Sequence, residues 1–334
     1  MMLEKLTRRE DLTREEAESA MGSIMDGEYT SAQAAAFLIA LKMKGESREE
    51  IAALARAMRK RAITIEPSAA NLVDTCGTGG DSAGTFNIST TAAFIAAGSG
   101  VAIAKHGNRA VSGRCGSADV LEELGVRMLP PDAVRECIEM TGMGFMFAPL
   151  YHPAMRNVAA LRKELGVRTV FNLLGPLTNP AGAKAQVLGV FDESLTETMA
   201  YVLKALGTER ALVVHSGGMD EIGLGKTMVS ELKNGEVRAY TLVASEFGFT
   251  EQKVPTAGSK EEGARIALSV LEGGRGAARD IALLNAAAAI YVGGKAGTME
   301  DGVELARRSV DSGAAMRKLE MLRAFGDDGD GHTG

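Results

Sequence analysis

The sequence predicts an α/β protein: a small N-terminal helical domain over residues 1–66, then a larger α/β domain over 71–330 with a mainly parallel central sheet. Two observations carry that expectation. From Asn71 onward short apolar strands alternate with helical segments, which is the pattern of a parallel sheet covered by helices on both faces. The first 66 residues, by contrast, carry three capping boxes (Thr13 with Glu16, Thr30 with Gln33, Ser47 with Glu50), each ahead of a helical apolar pattern.

Gly27 and Gly45 punctuate the N-terminal helices, and Pro67 marks the boundary before the first strand. Short helices of this kind bury little apolar surface alone, so the unit is expected to pack on the α/β domain. Strands are expected at Leu72–Thr75, Val101–Ala104, Gly144–Phe147, Gln186–Val190 and Ala211–Val214. Helices are expected at Thr91–Ala97, Ala118–Leu124, Asp132–Thr141, Ala154–Leu165 and Leu195–Leu206. Asn234-Gly235 between two alternating runs predicts a hairpin. Lys260 to Phe325 reads as helical, and the polar Gly326–Gly334 tail as disordered.

Composition narrows the function classes. A net charge of −6 from 37 basic and 43 acidic side chains argues against a general nucleic-acid binder. No long apolar run spans a membrane, and the charged start of the chain lacks the apolar centre of a signal peptide. Cys76, Cys115 and Cys137 stand at no metal-ligand spacing and suit reduced thiols in the cytoplasm.

The chemistry concentrates in a few stretches. Asp74-Thr-Cys-Gly77-Thr-Gly79-Gly80-Asp81 is a strand running into a loop nearly free of side chains, and Thr85, Asn87, Ser89 and Thr90 lead into an apolar helix. A strand, a glycine loop and a helix start gather backbone N–H groups around one point, which suits a phosphate. The dinucleotide fingerprint fails at Ser82, where its third glycine belongs. Lys105-His106-Gly107-Asn108-Arg109 follows the next strand and brings two cations, and Ser117 opens the Ala118 helix. Asp220-Glu221, among glycines after the Ala211–Val214 strand, supplies oxygen ligands of the kind Mg²⁺ shares with substrate phosphates. Gly225-Lys226-Thr227 resembles the end of a P-loop, but Asp220 stands where its first glycine is required. His152 near a helix start and Arg162 further along it are candidates for the same site, Arg162 for a carboxylate. Residue chemistry alone gives a metal-assisted enzyme, or binder, of a phosphorylated small molecule.

These segments, together with Cys115-Gly-Ser-Ala-Asp119 and Phe171-Asn-Leu-Leu-Gly-Pro-Leu-Thr-Asn-Pro180, resemble the anthranilate phosphoribosyltransferases of tryptophan biosynthesis, in the family's order and over most of the chain. The resemblance implies a nucleoside phosphorylase/phosphoribosyltransferase-like fold, a homodimer joined through the N-terminal helices, and a helical insertion near 163–182 that returns to the small domain. It also implies that Gly77, Gly80, Asp81, Thr85, Asn87, Ser89 and Thr90 hold phosphoribosyl pyrophosphate (PRPP), with Lys105 and Ser117 adding phosphate contacts. Ser89, Asp220 and Glu221 would ligate Mg²⁺, two ions per subunit. Asn108 and Arg162 would hold anthranilate, with His106 and His152 lining its approach and Lys163 as the neighbouring cation. No side chain is implied as an obligatory acid or base. Two departures from the family pattern stand out, Ser82 for a usual Gly and Gly113 for a usual Ser. Two competing readings are a pyrimidine nucleoside phosphorylase, which lacks the combination of Lys105–Arg109 with Asp220-Glu221, and a nucleic-acid-binding relative, which the acidic charge disfavours.

Overall fold

A computed structural model describes residues 2–79, 84–110 and 115–328. The chain opens with α1 (Met2–Thr7), α2 (Arg14–Met25), α3 (Ser31–Lys44) and α4 (Arg48–Arg59). All three expected capping boxes form, on α2, α3 and α4. The Glu50 carboxylate does more than cap. It accepts the Leu12 N–H at 2.9 Å and the Lys44 ammonium at 2.8 Å while fully buried, and so ties the start of α2 and the end of α3 to α4.

Strands and helices then alternate: β1 (Val73–Gly77), α5 (Ile88–Gly98), β2 (Ile103–Gly107), α6 (Ser117–Glu123), α7 (Pro131–Thr141) and β3 (Met143–Phe147). Three helical segments follow, α8 (Ala148–Tyr151), α9 (Arg156–Leu165) and α10 (Phe171–Leu174), before β4 (Ala185–Gly189), α11 (Leu195–Ala205) and β5 (Arg210–His215). The hairpin β6 (Lys226–Lys233) and β7 (Glu236–Val243) turns through Asn234 and Gly235, both at positive φ, as the Asn-Gly pair predicts. Helices α12 (Lys260–Leu271), α13 (Ala277–Val292), α14 (Met299–Asp311) and α15 (Ala314–Asp328) complete the described chain.

The sheet order is β3-β2-β1-β4-β5-β6-β7. Pairings are parallel from β3 to β5 and antiparallel for β5–β6 and β6–β7. The chain moves outward from β1 to β2 and β3, then returns to β4 on the other side of β1. The strand order therefore reverses between β1 and β4, where open α/β sheets place their ligands.

Two apolar cores flank the sheet. One joins α5, α12, α13, α14 and α15 to one face. The other runs without a break from α2, α3 and α4 through Val158, Phe171 and Leu174 to α11 and to Leu188 and Val213 of the sheet. The N-terminal helices thus do pack on the α/β domain.

Three expectations need correction. The second strand is Ile103–Gly107 rather than Val101–Ala104, so Lys105 and His106 are strand residues, not loop residues. A buried lysine hides a strand from a hydrophobicity pattern, yet Lys105 pairs in register with Phe145 of β3. Second, helix α9 starts at Arg156, after a 3₁₀ turn at Pro153–Met155, and His152 ends α8 instead of opening α9, because Pro153 lacks the N–H that would carry α8 onward. Third, the helix of the expected tail continues to Asp328, where the Arg127 guanidinium donates to the Gly326 carbonyl at 2.9 Å. No helix among the described residues is long and apolar enough to cross a membrane.

Candidate active site

Gly77 ends β1 and lies in register with Gly189 at the end of β4. Both positions need glycine for the same reason. A Cβ on Gly77 would sit 2.2 Å from the Asp220 carboxylate, and one on Gly189 would sit 1.6 Å from the Asp220 carbonyl. The acidic loop after β5 is thereby pressed onto the strand ends. The Gly79 N–H, from a residue at φ +67°, donates to Asp220 at 2.8 Å. In the first turn of α5, the Ser89 N–H donates to Glu221 at 3.0 Å.

The acidic loop is held from behind by Asn285 of α13. Its amide donates to the Ile222 carbonyl and its oxygen accepts the Ile222 N–H, at 2.8 and 3.0 Å. His215 serves the turn after β5, its Nδ1 2.8 Å from the Val190 carbonyl and its Nε2 accepting the Gly218 N–H, so this histidine buttresses the loop.

Lys105 is 1% exposed, and its ammonium donates to the Thr75 carbonyl and, at 3.2 Å, to Ser89 Oγ. Burial lowers its pKa, while Asp74, Cys76, Glu221 and Asp220 pull it back up. Asn87 precedes α5 without capping it. Its amide donates to the Cys115 carbonyl at 3.0 Å and its oxygen accepts the Thr90 hydroxyl at 2.7 Å. Thr85 bridges to Thr256, anchoring the start of this segment on the stretch before α12.

The turn after β2 packs face to face with the start of α6. Ser117 Oγ donates to the Asn108 carbonyl at 3.3 Å, and Ser117 is the first residue of α6, with Gly116 taking the capping position. Asp119 accepts the Ala110 and Gly116 N–H groups and fixes this turn. Arg109, expected as a second phosphate cation, is turned away: its guanidinium binds Glu122 at 2.5 Å and Asp119 at 3.3 Å.

A second wall is aromatic and dry. The His106 and His152 rings lie 5.1 Å apart, both buried. Burial, and for His106 the neighbouring His152, lowers their pKa values to about 3 and about 4, so both are neutral at pH 7. His106 Nε2, both His152 ring nitrogens and the Tyr151 hydroxyl have no hydrogen-bond partner among the described residues. Arg162, on α9, lies over the Phe171 ring at 5.3 Å and makes no ion pair among the described residues, and burial lowers its pKa. Lys163 is solvent-exposed, which favours Arg162 as the functional cation of the two.

Gly77, Thr85, Asn87, Ser89, Thr90, Lys105, Asp220 and Glu221 thus gather at the β1–β4 reversal, with Asn108 and Ser117 on the adjoining turn. Arg162 and Asn108 share no hydrogen bond. The expectations for Gly80 and Asp81, and the departures at Ser82 and Gly113, fall outside the described residues. Asp74, Asn179 and Asn285 are buried polar residues that sequence reasoning missed. An acid inside an otherwise apolar strand is a signal that could have found Asp74.

The donor set suits Mg²⁺. Asp220 and Glu221 would be hard oxygen ligands, and Glu221 sits against Ser89, whose N–H it accepts. Such an open set leaves coordination positions for phosphate oxygens and water, as Mg²⁺ prefers.

Comparison with known proteins decides the family. Residues 2–62 match the glycosyl transferase family helical bundle domain, and residues 69–316 match that family's a/b domain. The anthranilate phosphoribosyltransferase of Methanocorpusculum labreanum is 54% identical over 327 residues, 96% of each chain. The chain belongs to the anthranilate phosphoribosyltransferase family. The Thermus thermophilus member superimposes with a TM-score of 0.92 at 48% identity, covering 97% of this chain and 98% of that one. The Saccharomyces cerevisiae member, solved in complex with PRPP and Mg, gives 0.88 at 28% identity, covering 98% and 97%. The seven-stranded sheet with its N-terminal helices is therefore the family's own fold.

Proposed function

We propose that this chain transfers phosphoribose from PRPP to the amine of anthranilate, with release of pyrophosphate, in tryptophan biosynthesis. The observation that carries the reading is the meeting of Gly77, Gly79, Ser89, Lys105, Asp220 and Glu221 at the strand-order reversal of a chain about half identical to enzymes of that name.

In the reaction the C1–oxygen bond to pyrophosphate breaks, the leaving group keeps the electron pair, and the amine nitrogen bonds to C1 and sheds a proton to solvent. The transition state is oxocarbenium-like, so the chain's task is to bind, orient and offset charge rather than to bond covalently. Gly77, Gly80 and Asp81 take the pyrophosphate, while the Gly79 N–H, donating to Asp220, ties the loop to the acids after β5. Thr85, Asn87, Ser89 and Thr90 hold ribose and phosphate oxygens, and Lys105 and Ser117 add phosphate contacts. Asp220, Glu221 and Ser89 hold Mg²⁺, two ions per subunit, which when bound offset the charge of the departing pyrophosphate. Arg162 pairs with the anthranilate carboxylate and Asn108 fixes the ring. His106 and His152, neutral at pH 7, line its approach and can accept hydrogen bonds. A homodimer through the N-terminal helices is supported by the exposed Met43 at the end of α3 and Val167 beyond α9, near the Lys42 ammonium's bond to the Arg168 carbonyl. We assign the enzyme to the cytoplasm, which its three unbridged cysteines support.

The test is anthranilate fluorescence with purified protein, PRPP and Mg²⁺, with and without EDTA. Signal loss that requires both PRPP and metal is expected. Folded protein that leaves the fluorescence unchanged would remove the reading and favour a phosphorylase.

A further inference from the structure

Strands β1 and β2 start as neighbours and then part. Val73 lies opposite Ile103, and its N–H donates to the Ala102 carbonyl at 2.9 Å. The next rung of a parallel ladder would set Thr75 opposite Lys105, pairing the Thr75 N–H with the Ala104 carbonyl and the His106 N–H with the Thr75 carbonyl. That rung is absent among the described pairings, and three of its four groups are bonded to side chains instead. Asp74 Oδ1 accepts the His106 N–H at 3.0 Å, Asn179 Nδ2 donates to the Ala104 carbonyl at 2.9 Å, and the Lys105 ammonium donates to the Thr75 carbonyl.

This is a costly way to satisfy a sheet. Asp74 is fully buried and its Oδ2 has no hydrogen-bond partner among the described residues. An ordinary ladder would meet the same backbone needs with no buried charge. What the side chains achieve is separation. They wedge β2 away from β1 and bring the Lys105 ammonium between the two strands, within 3.2 Å of Ser89 at the start of α5.

We propose that Asp74 is a positioning residue for phosphoribosyl transfer: its carboxylate, with the Asn179 amide, holds the β1–β2 split open and so sets where the Lys105 ammonium meets the phosphates of PRPP. The inference rests on the proposed contact between Lys105 and PRPP. Asp74 touches no substrate itself. It acts through the backbone of β2 and through the ammonium that occupies the gap.

The experiment compares wild type with Asp74→Ala, Asp74→Asn and Asn179→Ala. Thermal unfolding, separate KM values for PRPP and anthranilate, kcat, and calorimetric PRPP binding without anthranilate are measured for each. Removing the buried acceptor in Asp74→Ala is expected to raise the PRPP KM and Kd about tenfold, with the anthranilate KM within about twofold of wild type. Asp74→Asn keeps the acceptor and should recover PRPP KM to within about threefold of wild type. Asn179→Ala should shift the PRPP values in the same direction by less, and it decides the matter if Asp74→Ala does not fold. Wild-type PRPP constants in folded Asp74→Ala and Asn179→Ala, equal shifts in both substrates' KM, or an Asn variant as impaired as the Ala variant would overturn the proposal. An inactive wild type that still binds PRPP would instead remove the proposed reaction and leave the binding comparison to judge Asp74.

Discussion

The two walls of the site are built on opposite terms. On the wall of glycines and acids the central polar groups are bonded within the protein: Gly79 N–H with Asp220, Ser89 N–H with Glu221, Lys105 with Ser89 and the Thr75 carbonyl. On the aromatic wall the buried His106 Nε2 and both His152 ring nitrogens stand without a partner among the described residues, and Arg162 faces an aromatic ring rather than an acid. The first wall is preorganised by bonds within the protein. The second holds unmet hydrogen-bonding capacity that a small aromatic acid with an amine could use. The difference teaches where substitution should act: breaking the first wall should disable the chemistry, and breaking the second should weaken one substrate.

The largest effect is expected from neutralising the acids of the first wall. Asp220→Asn with Glu221→Gln keeps the shape of the loop but loses both charges, and should lower kcat by at least about a hundredfold while thermal unfolding stays cooperative. Unchanged turnover at saturating Mg²⁺ would dissolve the contrast between the walls.

Next comes Arg162→Ala. Loss of one charged hydrogen bond costs roughly 1.5–3 kcal/mol, so the anthranilate KM should rise tenfold to a hundredfold and the PRPP KM far less. Equal changes for both substrates would place Arg162 outside the aromatic wall.

The smallest effect is a pH dependence confined to the dry wall. His106 and His152 stay neutral in the folded protein down to about pH 3 and about pH 4. Unfolded imidazoles take up protons below about pH 6.5, so the unfolded state binds more protons as the pH falls from there and stability drops. Fully present above pH 6.5, the contribution is lost progressively toward the folded pKa values. His152→Asn should therefore reduce the stability lost between pH 7 and pH 5 by about 1–2 kcal/mol, read by denaturant unfolding at both pH values. A variant as acid-sensitive as wild type would show that these rings are not the dry element.

Much of this was legible in the sequence because it is local. The three capping boxes, the Asn234-Gly235 hairpin and the alternation that gives the parallel sheet each depend on neighbours a few residues apart. The phosphate wall was legible for a related reason: its parts are glycines, short polar side chains and adjacent acids whose chemistry does not hide. What stayed hidden depends on distant partners. Lys105 reads as a loop cation until the carbonyl of Thr75 is there to receive it, and Arg109 reads as a phosphate cation until α6 brings Glu122 to it. Asp74 and Asn179, more than a hundred residues apart, acquire a role only when β1 and β2 part. Gly326 reads as the start of a tail until Arg127 packs on it.

The central claim is that the acids after β5 and the glycines after β1 form one metal-assisted seat for PRPP. Calorimetric titration of PRPP into wild type and into the Asp220→Asn, Glu221→Gln variant, each with Mg²⁺ and with EDTA, tests it most directly. The account predicts that wild type binds PRPP tightly only with Mg²⁺, and that the variant binds weakly under both conditions. Wild-type affinity that is indifferent to EDTA, or a variant that still tightens with Mg²⁺ as wild type does, would contradict it.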